Sequence, residues 1–392
     1  MADNTQNESS QVNLSNWRFP PFNRWGFQHV DDLVESKLIL NDPNDIWEFE
    51  SELIEFDQLS FKDHVGQEMS FDMFLESSYT DAFIVTQKGK IICESYNNNM
   101  EASSRHILMS VSKSVLGVIT GILIDNKAID PSKAISYYIP ELKNTGYAKC
   151  SVQHLLDMTA DVDFEEDYYA TSGPMIHYRR STNWDPKDDS LPSIDLKEFL
   201  QTINSTKAHH GEIFKYTSPN SDLLGWLVEI VTNMNFSNVA SELLWKPLGT
   251  ELPAYVTIDE SGSPRTAGGI NTTARDLARL GNLIANGGFR KNKQIISNRW
   301  LGELFTGDRN AWESGNFAPY FNGMPISYKN QWYTLNQNNP ILFCVGIYGQ
   351  YMFVDINNDI VIVKFSSQEN PLDIDQKQVM TNACLNIINA LN

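Results

Sequence analysis

Residues 106–125 read HILMSVSKSVLGVITGILID. Apolar side chains at 111, 115, 118, 119 and 122 recur at helical spacing, so the pattern predicts one long helix over 110–126. Its first turn holds Ser110-Val111-Ser112-Lys113, the only S-x-x-K in the chain. Positions i and i+3 share a helix face, which sets the lysine amine over the serine hydroxyl. A serine alcohol is a poor nucleophile until an adjacent base takes its proton. Lysine is such a base only when desolvation and nearby positive potential depress its pKa. A helix N-terminus supplies that potential, and also a backbone N–H for a developing oxyanion. At average composition about one or two S-x-x-K hits arise by chance in a chain this long. The weight therefore rests on position: this one opens a helix whose next residues are nearly all apolar, where a lysine is either surface-directed or functional.

The rest of the chain bounds the setting. Its 392 residues carry 30 Lys plus Arg against 49 Asp plus Glu, a net charge of −19, with 41% apolar and 20% charged residues. That profile fits a globular protein and excludes collagen-like or wholly disordered chains. The acidic balance argues against a nucleic-acid partner and against an anionic membrane surface, both of which need a Lys/Arg surplus. Cys93, Cys150, Cys344 and Cys384 are far apart with no CxxC pair, and read as buried small hydrophobes. The N-terminal residues are polar and acidic, without a basic start or an apolar stretch, and no run nears the ~20 apolar residues that span a bilayer. A cytoplasmic location is the expectation. No metal or organic cofactor is implied, the expected partner is a small molecule, and a homodimer is compatible with the sequence.

The element pattern predicts an α+β fold. Residues 1–30 read as an extended arm, with Pro20 and Pro21 opposing regular structure. A hairpin follows over 82–96, turning at Gly89. Helices are expected at 151–158, 193–203, after Tyr216, and at 272–285, where Gly287-Gly288 stops the last. Strands return at 351–356 and 360–365, and a helix closes the chain at 376–391. The simplest assembly is an antiparallel sheet built from both ends of the chain and flanked by helices: an α/β lobe over 31–136 and 256–392, and a mostly helical lobe over 137–255. Within that lobe the periodicity vanishes from 163 to 192, the mark of a lid or binding loop. Tyr168, Tyr169, Tyr178 and Trp184 are there to line an apolar site.

Other chemistries are missing: there is no GxG, no Walker A, no HExxH and no GxSxG. The 106–125 segment is followed in order by SVQHLLDMTADVDFEEDY (151–168), GEIFKYTSPNSDLLGWLVEIVT (211–232), GGINTTARDLARLGNLIANGG (268–288) and VGIYGQYMFVD (345–355). Together these resemble the serine β-lactamase and penicillin-recognising superfamily, and within it the 6-aminohexanoate-dimer (nylon-oligomer) hydrolases and related β-lactamase-fold esterases. The resemblance runs over most of 75–390 and implies a β-lactamase/transpeptidase-like fold and cleavage of small linear amides or esters through an acyl-enzyme. It makes Ser110 the acylated nucleophile and Lys113 its base. Tyr216, in Tyr216-Thr217-Ser218, would relay the proton to the leaving group with a lowered phenol pKa, and Ser218 stands where relatives often have Asn. Gly346 would admit the substrate closely, with Tyr348 just behind. The Ile347 N–H would join that of Ser110 as the oxyanion hole. Tyr168 matches a lid tyrosine that touches the scissile amide, and Trp184 a gating aromatic.

Departures from the pattern bear on substrate. Cys344-Val345-Gly346 replaces K-T-G and offers neither the lysine nor the hydroxyl that holds a β-lactam carboxylate, so β-lactam turnover is not expected. Arg179 occupies the lid position that would carry an acid for a substrate ammonium, and Ala267 offers no polar side chain. Small esters, which need only nucleophile, base and oxyanion hole, are then the more robust substrates. Two rivals are a non-catalytic sensor on the same scaffold and a cell-wall D-alanyl peptidase.

Overall fold

The computed structural model describes residues 11–56, 59–190, 192–206, 209–321 and 323–392. Its main sheet has eight strands, in the order Ile326–Lys329, Trp332–Leu335, Ile341–Gly346, Gln350–Asp355, Ile360–Ser366, Thr80–Gln87, Lys90–Tyr96 and Glu50–Ser51. Every pairing is antiparallel except the last. The C-terminal meander meets the N-terminal hairpin where Ile362 pairs with Val85, which closes the α+β arrangement expected from strands at both ends of the chain.

Alternation explains why these strands read as unbroken apolar runs. Phe83, Val85, Phe343, Phe353, Ile360 and Ile362 point into one core, with the Phe71–Ser77 and Ile374–Leu391 helices. Ala82, Ile84, Leu342, Val354, Val361 and Val363 point into the other, against the helices Val111–Asp125, Ser218–Thr232 and Ala274–Ala285. Both faces are covered, so neither parity is polar. All four cysteines are buried and free.

A second, four-stranded sheet prepares the site. Its order is Ser36–Ile39, Ala254–Thr257, Ile270–Thr272 and His106–Ile107. The last two strands bring the approach to Ser110 beside the 267–269 turn: the Leu108 N–H donates to the Ile270 carbonyl at 2.8 Å and the Ile270 N–H to Ser112 Oγ at 3.1 Å. The helix that follows lies close against its neighbours. A Cβ on Gly121 would sit 2.3 Å from the Trp300 ring.

Two expectations need correction. The 163–192 stretch is not without regular structure, because Pro174–Ser181 forms a helix. Pro174 presets its first turn, and Arg179 and Arg180 complement its C-terminal end, but its buried face includes a charged residue and so leaves no apolar period. The N-terminal arm is not extended throughout its described part, from residue 11: Asn23–Gly26 forms a short helix just after Pro20-Pro21, and Val30–Asp32 a 3-10 turn. Trp17, Phe27 and Val30 are fully buried, and Trp17 packs edge-on against Trp184 at 5.3 Å; residues 1–10 lie outside the described residues. Among the described residues no helix is long and apolar enough to cross a membrane.

Candidate active site

Ser110 stands at the N-terminal boundary of the Val111–Asp125 helix without a capping side-chain hydrogen bond, and the residue before it, Met109, holds φ at 46°. A non-glycine residue held there costs about 1–3 kcal/mol, which the surrounding packing must supply. One turn on, Lys113 is 1% exposed. Its Nζ lies 2.9 Å from Ser110 Oγ, 3.0 Å from Ser218 Oγ and 2.7 Å from the Ala267 carbonyl oxygen. The predicted pair therefore meets as i,i+3 geometry requires.

The partners of Nζ fix the direction of these bonds. Ala267 O can only accept. Ser218 Oγ gives its own proton to Glu166 Oε1 at 2.5 Å, so it also accepts from the amine. Glu166 Oε2 takes the Ser218 N–H at 2.8 Å. Ala267 is fixed in turn by its N–H to Asp222 Oδ1 at 2.7 Å, and Asp222 Oδ2 accepts from Tyr178 Oη at 2.5 Å. A neutral amine has two N–H bonds and one lone pair. In the ammonium form the third N–H donates to Ser110 Oγ; in the neutral form, with both N–H bonds on Ser218 and Ala267, the lone pair faces Ser110 Oγ.

Burial makes that neutral form accessible. Desolvation pulls Lys113 down to about 8, with help from Arg265 and against the pull of Glu166 and Asp222. Asp222 is pushed up by its own burial, opposed mainly by Arg265.

Tyr216 reaches the same cleft from the turn before the Ser218–Thr232 helix, stacked on Phe317 at 4.6 Å, with its ring 4.9 Å from Lys113 Nζ. Its phenol is not lowered, as the sequence led one to expect. Burial raises it well above the ordinary tyrosine value, only partly offset by hydrogen bonding with Ser110 and Tyr333. Burial therefore favours the neutral, protonated phenol.

Two narrow arms leave Ser110, with about 410 and 370 Å³ of space including their mouths open to solvent. Tyr216, Phe317, Gly346 and Lys377 line the first, Glu166, Trp184, Ser218 and Arg265 the second, and Tyr168 and Ile347 both. The Ser110 and Ile347 amides have no acceptor among the described residues. Gly346 is required by packing: a Cβ there would fall 2.6 Å from the Leu108 carbonyl, in the strand's contact with the segment before Ser110. Tyr348, expected to bind substrate, lines neither arm; it is buried against Phe27 at 5.1 Å. Among the described residues no group of three or more His, Cys, Asp or Glu is placed to hold a metal ion.

Several site residues left no sequence signal. Glu166 is one of three consecutive acids, 165–167, that composition cannot tell apart. Ala267 contributes a carbonyl, which no side-chain pattern reports. The Arg265 guanidinium carbon lies 4.2 Å from the Tyr178 ring centre and 4.3 Å from that of Trp184, far from any motif in sequence.

The chain is similar to known proteins over most of its length. The Beta-lactamase family model matches residues 75–384. The 6-aminohexanoate-dimer hydrolase of Paenarthrobacter ureafaciens is 33% identical over 365 residues, 93% of this chain and 90% of that protein. A Bacillus anthracis protein provisionally assigned as a 6-aminohexanoate-dimer hydrolase superposes with a TM-score of 0.90 at 28% identity, covering 97% of both chains. A family VIII carboxylesterase shares the fold alone, with a TM-score of 0.59 at 14% identity over 80% of this chain and 95% of that one. The chain belongs to the Beta-lactamase family, in the company of the 6-aminohexanoate-dimer hydrolases, and is a hydrolase of the β-lactamase fold.

Proposed function

We propose that the protein cleaves small linear amides or esters through an acyl-enzyme on Ser110. The observation that carries this reading is the set of three contacts at Lys113 Nζ, which leaves a lone pair only toward Ser110 Oγ. Ser110 attacks the carbonyl carbon as its proton passes to Lys113. The oxygen of the tetrahedral intermediate is met by the Ser110 and Ile347 amides, donors that need no reorganisation. As the bond to the leaving group breaks, Tyr216 gives its proton to the departing nitrogen or oxygen and is refilled from the Lys113 ammonium. Water then adds to the acyl-enzyme, losing a proton to Lys113, and the acid departs as Ser110 regains its own. Tyr168 and Trp184 form the walls that exclude water, and Ser218 orients the base.

The relatives' names favour amides of the aminohexanoate kind. Arg179 favours esters, or amides without a free amine, because a cationic substrate end entering the second arm meets it there. The test is p-nitrophenyl acetate with wild type and Ser110→Ala, followed by turnover and by intact mass. Wild type should gain one acetyl group and turn over, and the variant should do neither. Equal rates for the two would overturn the assignment.

A further inference from the structure

The second arm ends among arginines. Arg18, Arg179 and Arg265 all line it. Arg265 is 5% exposed; its Nη1 donates to Thr182 Oγ1 at 2.7 Å, but its Nε is buried with no acceptor. Arg18 is 7% exposed; its Nη2 pairs with Asp185, and its Nε is likewise buried and unpartnered. Arg179 donates to the carbonyls of Tyr168 at 2.7 Å and Ala170 at 3.3 Å, and its nearest carboxylate is the same Asp185, 4.0 Å away.

The acidic groups nearby are already engaged. Asp185 is shared by two guanidinium groups, and Asp222 is held by Tyr178, Thr266 and the Ala267 N–H. Glu166, the one carboxylate lining the arm among the described residues, has both oxygens on Ser218. Buried N–H donors almost always have a partner, and of the few described ones that lack it, two are the Nε groups of Arg18 and Arg265, both on this arm. A guanidinium matches a carboxylate in shape as well as charge.

We propose that this arm is a carboxylate pocket, which takes the far end of an acyl chain and makes linear half-esters or half-amides of dicarboxylic acids the preferred substrates. The assignment to the acyl side rests on the reading above: Tyr216 lines the other arm, so the leaving group it protonates lies there. An amine at the same end would add a cation to three and find no free acid.

Three p-nitrophenyl esters with one leaving group test this: the hydrogen adipate, the hexanoate and the 6-aminohexanoate. Wild type should prefer the hydrogen adipate over the hexanoate by at least about tenfold in kcat/KM, with the 6-aminohexanoate lowest. Arg18→Gln should bring the adipate-to-hexanoate ratio toward one through KM, and Arg18→Lys should restore part of it. Because the wild-type ratio needs no variant, a ratio of one or below overturns the pocket even if the variants fail to fold. Calorimetry of adipate with Ser110→Ala separates the two claims. Adipate binding to the variant, with no ester turned over by wild type, supports the pocket and counts against Ser110. Turnover of all three esters without acid preference or adipate binding overturns the pocket and leaves Ser110 in place.

Discussion

Replacing Glu166 by Gln removes the one carboxylate lining the Ser218 side of the cleft while keeping the side chain's shape. Glu166 Oε1 holds Ser218 Oγ at 2.5 Å and that hydroxyl lies 3.0 Å from Lys113 Nζ. At a separation of about 5 Å and an effective dielectric constant of about 20, a unit charge is worth ~3 kcal/mol, or about two pK units. Glu166 is only half-buried, and solvent screening brings this to about one unit. The sign is set by chemistry. A negative neighbour favours the ammonium form, so its loss lowers Lys113 further from about 8. The base must be neutral to accept the Ser110 proton, so kcat/KM rises with pH as Lys113 deprotonates. In Glu166→Gln that acid limb should move down by about one pH unit. The assay is the pH profile of kcat/KM for p-nitrophenyl acetate between pH 5.5 and 9.5. The plateau is free to fall, because Ser218 exchanges two carboxylate oxygens for one neutral amide oxygen and an NH2 group; the position of the limb is the test. A limb that stays in place, or moves up, refutes the reasoning that couples Glu166 to Lys113.

Two further outcomes follow from the same geometry. Tyr216→Phe should lower kcat on an anilide or alkyl amide by about 10²–10⁴-fold, the usual range for a lost general acid. It should affect nitrophenyl esters far less, since their leaving group departs without a proton; equal losses on both would remove Tyr216 from the leaving-group side. Gly346→Ala places a Cβ 2.6 Å from the Leu108 carbonyl and should cost about 1–3 kcal/mol by overpacking, read as a lower urea midpoint. An unchanged midpoint would mean that the strand yields there at no cost.

Much of this was legible before any coordinates because it rests on local periodicity. The 3.6-residue period fixed the Val111–Asp125 helix to within a residue or two, and i,i+3 spacing on that helix put Lys113 over Ser110. The caps Thr273 and Ser151 mark helix starts by the hydrogen bonds their residue types imply. What stayed hidden is held by tertiary contacts. The Pro174–Ser181 helix hides because its buried face includes Arg179, stabilised by lid carbonyls that no spacing rule connects to it. Trp17 lies in a polar stretch and is buried only because Trp184 and Phe27, remote in sequence, meet it. The direction of the Tyr216 shift was misread for a related reason. A nearby lysine suggests a lowered phenol, but that lysine is itself dry, and burial dominates both groups.

That last point explains how one cleft can serve both proposed roles. Withdrawal of water penalises whichever protonation state carries charge. For an amine this is the acid form, so Lys113 falls toward the working pH. For a phenol it is the base form, so Tyr216 rises away from it. A single property, the narrowness of the two arms at Ser110, thereby separates a proton acceptor from a proton donor that lie 4.9 Å apart, Nζ to ring centre. No ion pair is needed to set either one, and Glu166 works against the separation on the lysine side. Widening the cleft should therefore damage both functions together, raising Lys113 and lowering Tyr216. Removing Glu166 should move Lys113 down alone, and that asymmetry distinguishes control by dryness from control by charge.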